Sequence, residues 1–238
     1  MALILGQRER AAESFDEALV LAREVGDKKF IGWAVFNLGY LEQVLGNWEK
    51  SKALLLEGLK LFREVRDDYG IAAAFNLLGE VARSQGDYVA ARELYQDSVV
   101  IKRKIGDKRS IAITLVKLGF VAMHQGGYRE GGAFFCEALS LNRNLGYKKG
   151  ITTSITGLAG VALAEGQPKR GARLLGAAEF MLETIGVHFD STDQADHDRF
   201  VVGARAMLGG AALDESLAEG RAMTLEQAIE YALAPDVQ

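Results

Sequence analysis

Proline is nearly absent from this chain, with two in 238 residues, so long helices can run without interruption. Cysteine is scarcer still: Cys136 stands alone, which excludes an internal disulfide and fits a reducing compartment. No apolar run approaches the roughly 18 residues that a membrane span needs, and the opening MALILG is too short, and lacks the basic flank, for a signal peptide. A cytoplasmic chain without membrane contact is expected. The dipeptide Gly-Lys never occurs, so no Gly-x-x-x-x-Gly-Lys-Ser/Thr loop is present to cradle a nucleotide phosphate. A strong charge of one sign is also lacking. The net charge is −4; from Val187 onward ten acidic residues face only Arg199, Arg205 and Arg221, leaving that tail at −7 and the remainder at +3. Neither value matches the basic footprint of a nucleic-acid-binding domain, and no direct nucleic-acid binding is expected.

What the chain has is a period. Gly6, Gly46, Gly86, Gly126 and Gly166 recur every 40 residues, and a fixed period of that size marks a solenoid whose units bury their apolar faces against neighbours. Ile31, Ile71, Ile111 and Ile151 open the first helix of each unit, followed by Val35, Phe75, Leu115 and Ile155, then by Leu38, Leu78, Leu118 and Leu158 on the same face. Gly39, Gly79 and Gly119 come next, with Ala159 in the last unit. A glycine inside a helix costs about 1 kcal/mol relative to alanine, so a close helix contact must compensate.

The Gly46 column is placed to end that helix in a left-handed residue. Asn47 and Asp87 suit the N-cap of the second helix, Asp27 and Asp107 that of the first, and Pro168 the first helical position. Along the second helix, small residues (Ala11, Ser51, Ala91, Gly131, Gly171) alternate with large ones (Phe15, Leu55, Tyr95, Phe135, Leu175), as interlocking helices require. A further column, Arg23, Arg63, Arg103 and Arg143, lies six residues after Glu17, Glu57, Asp97 and Glu137, a separation at which pairing must cross to a neighbouring helix.

These columns resemble the tetratricopeptide repeat, most closely at Phe75, Leu78-Gly79, Ala82, Ala91, Tyr95 and Ser98. The period of 40 rather than 34, with arginine where the shorter repeat closes on proline, is similar to the longer repeats of bacterial regulators and kinesin light chains. The resemblance implies an all-α fold, a right-handed α-α superhelix of helix-turn-helix units, over residues 1–186. Units start near 31, 71, 111 and 151, preceded by a partial first unit in which Met1 to Leu5 are the last turn of a missing helix. After Gly186 the columns dissolve, and residues 187–238 read as a helical cap: Thr192 to Leu208, Ala211 to Ala222, and Leu225 to Leu233 behind a Thr224/Gln227 capping box. Residues 171–233 are similar to the carboxy-terminal end of the repeat domain in bacterial signal-transduction ATPases that regulate transcription, of LuxR type or like the maltose activator. That implies a piece of a longer regulator, with an ATPase or DNA-binding module encoded outside this chain.

No catalytic constellation, cofactor or metal site is expected. His188 and His197 with Asp190, Asp193, Asp196 and Asp198 match no zinc or calcium spacing. His124 has no partner legible in the sequence. The basic pairs Lys28-Lys29, Lys108-Arg109 and Lys148-Lys149 read as solvated turns. The resemblance instead places a groove along the first helices. Its wall would be Trp33, Phe36, Tyr40 and Gln43, then Asn76, Glu80 and Arg83, then Val116, Phe120, Met123 and His124. Such a surface suits a protein or peptide, with a small-molecule inducer as the alternative occupant. The uncovered Phe15 and Leu19 point to a homodimer through residues 1–25.

Overall fold

The computed structural model describes residues 2–189 and 191–234; Met1 and Asp190 lie outside them, as do the side chains of residues 2–9, Ala11, Ser191 and Thr192. Among the described residues there are twelve α-helices and no strand. They are α1 (Ala2–Val25), α2 (Lys28–Val44), α3 (Trp48–Glu64), α4 (Asp68–Ser84), α5 (Tyr88–Ile105), α6 (Lys108–His124), α7 (Tyr128–Leu145), α8 (Lys148–Ala164), α9 (Pro168–Ile185), α10 (Ser191–Leu208), α11 (Gly210–Arg221) and α12 (Leu225–Leu233). The chain divides into two compact units, Met1–Asp107 and Lys108–Gln238. In the first, α1 to α5 pack each against the next along the chain; in the second, α6 to α9 do so, and α10, α11 and α12 lie against α8 and α9.

The helix breaks follow the glycine columns. Gly46, Gly86, Gly126 and Gly166 all take left-handed φ between +77° and +81°, a conformation open to glycine without Cβ strain. The other turn column holds Gly26, Gly106, Gly146 and Gly186, and in its second member Arg66 is forced to φ 55°. First helices start at Lys28, Asp68, Lys108 and Lys148, three residues before the isoleucines, because residues 27 and 67 are themselves the caps. Asp27 accepts from the amides of Lys29 and Phe30, Asp67 from Gly70, and Asp87 from Ala90. Thr224 and Gln227 form a reciprocal capping box.

Two local expectations are corrected. Asn47 does not cap α3 with its side chain; its Nδ2 donates to Glu42 at 2.7 Å, and Lys50 pairs with the same carboxylate at 2.5 Å. The charge-assisted bond from Nδ2, roughly twice as strong as a neutral one, holds the side chain where its Oδ1 does not accept from the α3 amides. The lysine and the asparagine outweigh burial and hold the Glu42 carboxyl below the usual carboxylate range. Gly6 does not end a helix either: α1 runs through it.

The mid-helix glycines have the contact they require. A methyl built on Gly79 would come within 2.6 Å of the Tyr95 ring, and one on Gly119 within 2.5 Å of Phe135. The second helix of each repeat therefore lays its large residue on bare backbone of the first. The small column lies on the same crossing, where Ser51 Oγ donates to the Gly39 carbonyl at 2.8 Å and Gly131 and Gly171 abut the carbonyls of Gly119 and Ala159. In the first unit this packing closes a core of Leu55, Leu59, Phe62, Ala74, Leu78 and Val81. The arginine column stays exposed throughout. Arg23 reaches Glu57 on α3 at 3.8 Å, a pairing between helices; Arg63 stacks over Phe75 and Arg143 pairs with Glu226. Arg23 and Glu57 are both about half exposed, so such a pair contributes only a few tenths of a kcal/mol.

Candidate interaction surface

In the first unit, α2 and α4 present the face on which the groove is expected. Trp33 is only partly on it. Its ring lies 4.9 Å from Phe62 and 5.3 Å from Phe36, and its Nε1 donates to Asp67 Oδ2 at 3.1 Å. Phe36 is half-buried against Phe62 and Gly58. Tyr40, one turn further, is 50% exposed, and Val44 beside it 44%. Gln43 is half-buried, with its amide oxygen enclosed and unpaired. On α4, Asn76 accepts from the buried Lys102 at 3.3 Å, Glu80 is half-buried, and Arg83 is buried. The outward part of this face is thus narrower than the sequence implies: Tyr40 and Val44 on α2.

In the second unit the expectation is corrected. Val116, Phe120 and Met123 are interior residues, Phe120 with no exposed surface. Phe120 packs edge-on to Phe135 at 5.0 Å. The facing helix α8 is buried from Gly150 to Leu163 and lined by glycine, threonine and alanine at successive turns, so neighbouring side chains close over it. His124 is half-buried and has partners 72 and 75 residues away. Its Nε2 donates to Asp196 Oδ1 at 3.0 Å, and Arg199 donates to its Nδ1 at 3.2 Å. A guanidinium can only donate, which fixes this tautomer. Arg199 also binds Asp196 at 2.9 Å.

These contacts belong to α10, which lies on α8 and α9 and reaches α6 through His124. The sequence carries Asp196, Arg199 and Phe200 at i, i+3 and i+4, one side of a helix, but not which surface that side would meet. His197, also on α10, stands between Glu179 of α9 at 3.2 Å and Asp198 at 3.3 Å, with its ring against Phe189. The Glu179 contact is an ion pair rather than a well-aligned hydrogen bond. Burial would push His197 down, but the two carboxylates outweigh it and raise it above the ordinary histidine value. Among the described residues no three acids, histidines or cysteines converge as a metal site would require, and no helix is long and apolar enough to cross a membrane. Cys136 is half-buried, and its thiol is pushed up by desolvation, away from a reactive thiolate.

Residues 30–104 match the family model described as tetratricopeptide repeat. No curated protein matches the chain. Among solved structures, BtubC (BKLC) from P. vanneervenii superposes with a TM-score of 0.65 at 18% identity, over 95% of this chain and 88% of that one. The nearly identical TPR-like repeats of a putative kinesin light chain from Podosopora anserina give 0.60 at 16% identity, over 83% and 96%. A singly substituted form of those repeats gives 0.59 at 16%, over 76% and 89%. At these identities the likeness is one of fold. Together with the helix-turn-helix period and its glycine crossings, it shows an all-α solenoid, with a match to the tetratricopeptide repeat over residues 30–104.

Proposed function

We propose that the chain is a non-enzymatic interaction domain of a bacterial signalling or transcriptional regulator, working in the cytoplasm. Repeats of this type generally mediate protein–protein interaction. The observation that carries the reading here is the half-exposed Tyr40 beside Val44 on α2, an aromatic anchor on the first-helix face where a partner can bury it. The partner is a protein, a peptide or a neighbouring module such as an ATPase or DNA-binding domain. The regulator context rests on the resemblance of residues 171–233.

Self-association through residues 1–25 is a second contact of this reading. Leu21 and Val25 of α1 are exposed, while Phe15 and Leu19 are already half-buried. Sedimentation as a monomer at high concentration would remove it.

The test of the main reading is affinity. Tyr40→Ala weakens binding of the partner recovered from the native host by about 1 kcal/mol or more, with an unchanged helical spectrum. Full retention of the partner by that variant rules out this surface.

A further inference from the structure

Helix α10 buries an unusual set of side chains. Among its described residues the buried ones are Asp196, His197, Phe200 and Ala204, so Phe200 is the one large apolar side chain among them that is buried, while Val202 and Met207 face outward. The Phe200 ring sits on the bare backbone of Gly160 on α8, where an added methyl would overlap it. Around that anchor the contacts are polar: Asp196 and Arg199 bracket the His124 ring of α6, and His197 meets Glu179 of α9. An open cleft of about 470 Å³ lies beside the interface, lined by Met123, His124, Tyr128, Leu163, Arg199 and Phe200 among others. A cleft of this size is typical of a binding site. One aromatic in a seat, paired charges around it and unfilled room beside it are the anatomy of a helix in a recognition groove.

We infer that the face of α8 and α9, with His124 of α6 at its edge, is a helix-binding groove whose resident occupant is α10, and that it takes in trans a partner helix with an Asp-x-x-Arg-Phe side, releasing α10. A partner whose next turn carries a bulkier apolar residue fills the cleft that Gly203 leaves open. Because α10 is tethered, it competes at a high effective concentration, so the wild-type chain binds such a helix weakly until α10 is loosened. The surface around Tyr40 plays no part in this, and the two readings fail separately.

The experiment uses the full chain and a fluorescent peptide of residues 193–208 as the probe. Phe200→Ala in the chain weakens the resident helix and raises peptide affinity at least tenfold over wild type. The same substitution in the peptide abolishes its binding. Gly160→Leu in the chain fills the seat and removes binding altogether. Arg199→Glu, at a half-exposed position, gives the same direction as Phe200→Ala by breaking the Asp196 and His124 contacts, and serves if the phenylalanine variant does not fold. Hydrogen exchange on the wild-type chain shows α10 amides exchanging faster than those of α8. Folded variants that bind the peptide no tighter than wild type, or α10 amides protected as fully as α8, overturn the inference.

Discussion

The indole Nε1 of Trp33 donates to Asp67 Oδ2 at 3.1 Å, while the other carboxylate oxygen of Asp67 caps α4 through the Gly70 amide. One acid thus ties the first helix of one repeat to the start of the next. Lys29 adds its charge to the same carboxylate at 3.5 Å. Trp33 belongs to the stack more than to the surface, so Trp33→Phe lowers stability by about 1.5 to 3 kcal/mol, the usual cost of losing a hydrogen bond to a charged group. Urea denaturation measures it. A loss near zero means the bond is replaced by water without penalty.

Gly79→Ala runs against helix propensity. On an open helix the change stabilises by about 1 kcal/mol, but here the new methyl meets the Tyr95 ring at 2.6 Å. Tyr95 is fully buried and cannot swing away. Overpacking of this kind costs about 1 to 3 kcal/mol, so the net change is destabilising. A raised melting temperature for this variant contradicts the crossing geometry.

His197 makes stability depend on pH. Its folded pKa is raised because Glu179 and Asp198 outweigh the opposing effect of burial. A raised folded value favours the imidazolium in the folded chain. Its contribution is fully present below the ordinary histidine pKa of about 6.5 and is lost as pH rises through the folded value. His197→Gln therefore lowers the melting temperature most on the acid side, and the gap to wild type narrows toward alkaline pH. A gap independent of pH assigns His197 a packing role only.

Much of the fold was legible because it is periodic. The left-handed glycines, the caps at Asp27 and Asp87, and the capping box at Thr224 each depend on a few adjacent residues. The Gly79 column required a close contact, and Tyr95 supplies it. Asn47 is misread from its neighbours because its competitor, Glu42, lies on the preceding helix. The candidate surface was less legible. Column equivalence gives Tyr40 and Phe120 the same place in the repeat, yet one is half exposed and the other enclosed. The difference comes from what packs alongside, and α10 follows no period, so neither its seat on Gly160 nor its pairing with His124 can be read from spacing.

The central claim is that a partner lands on the first-helix face around Tyr40. Amide hydrogen exchange of the chain, alone and with the protein it captures from its native host, tests this most directly. Added protection is expected within residues 36–44 of α2 and 76–84 of α4, with α3 and α5 unchanged. Protection confined to α3 and α5, with none around Tyr40, would contradict it.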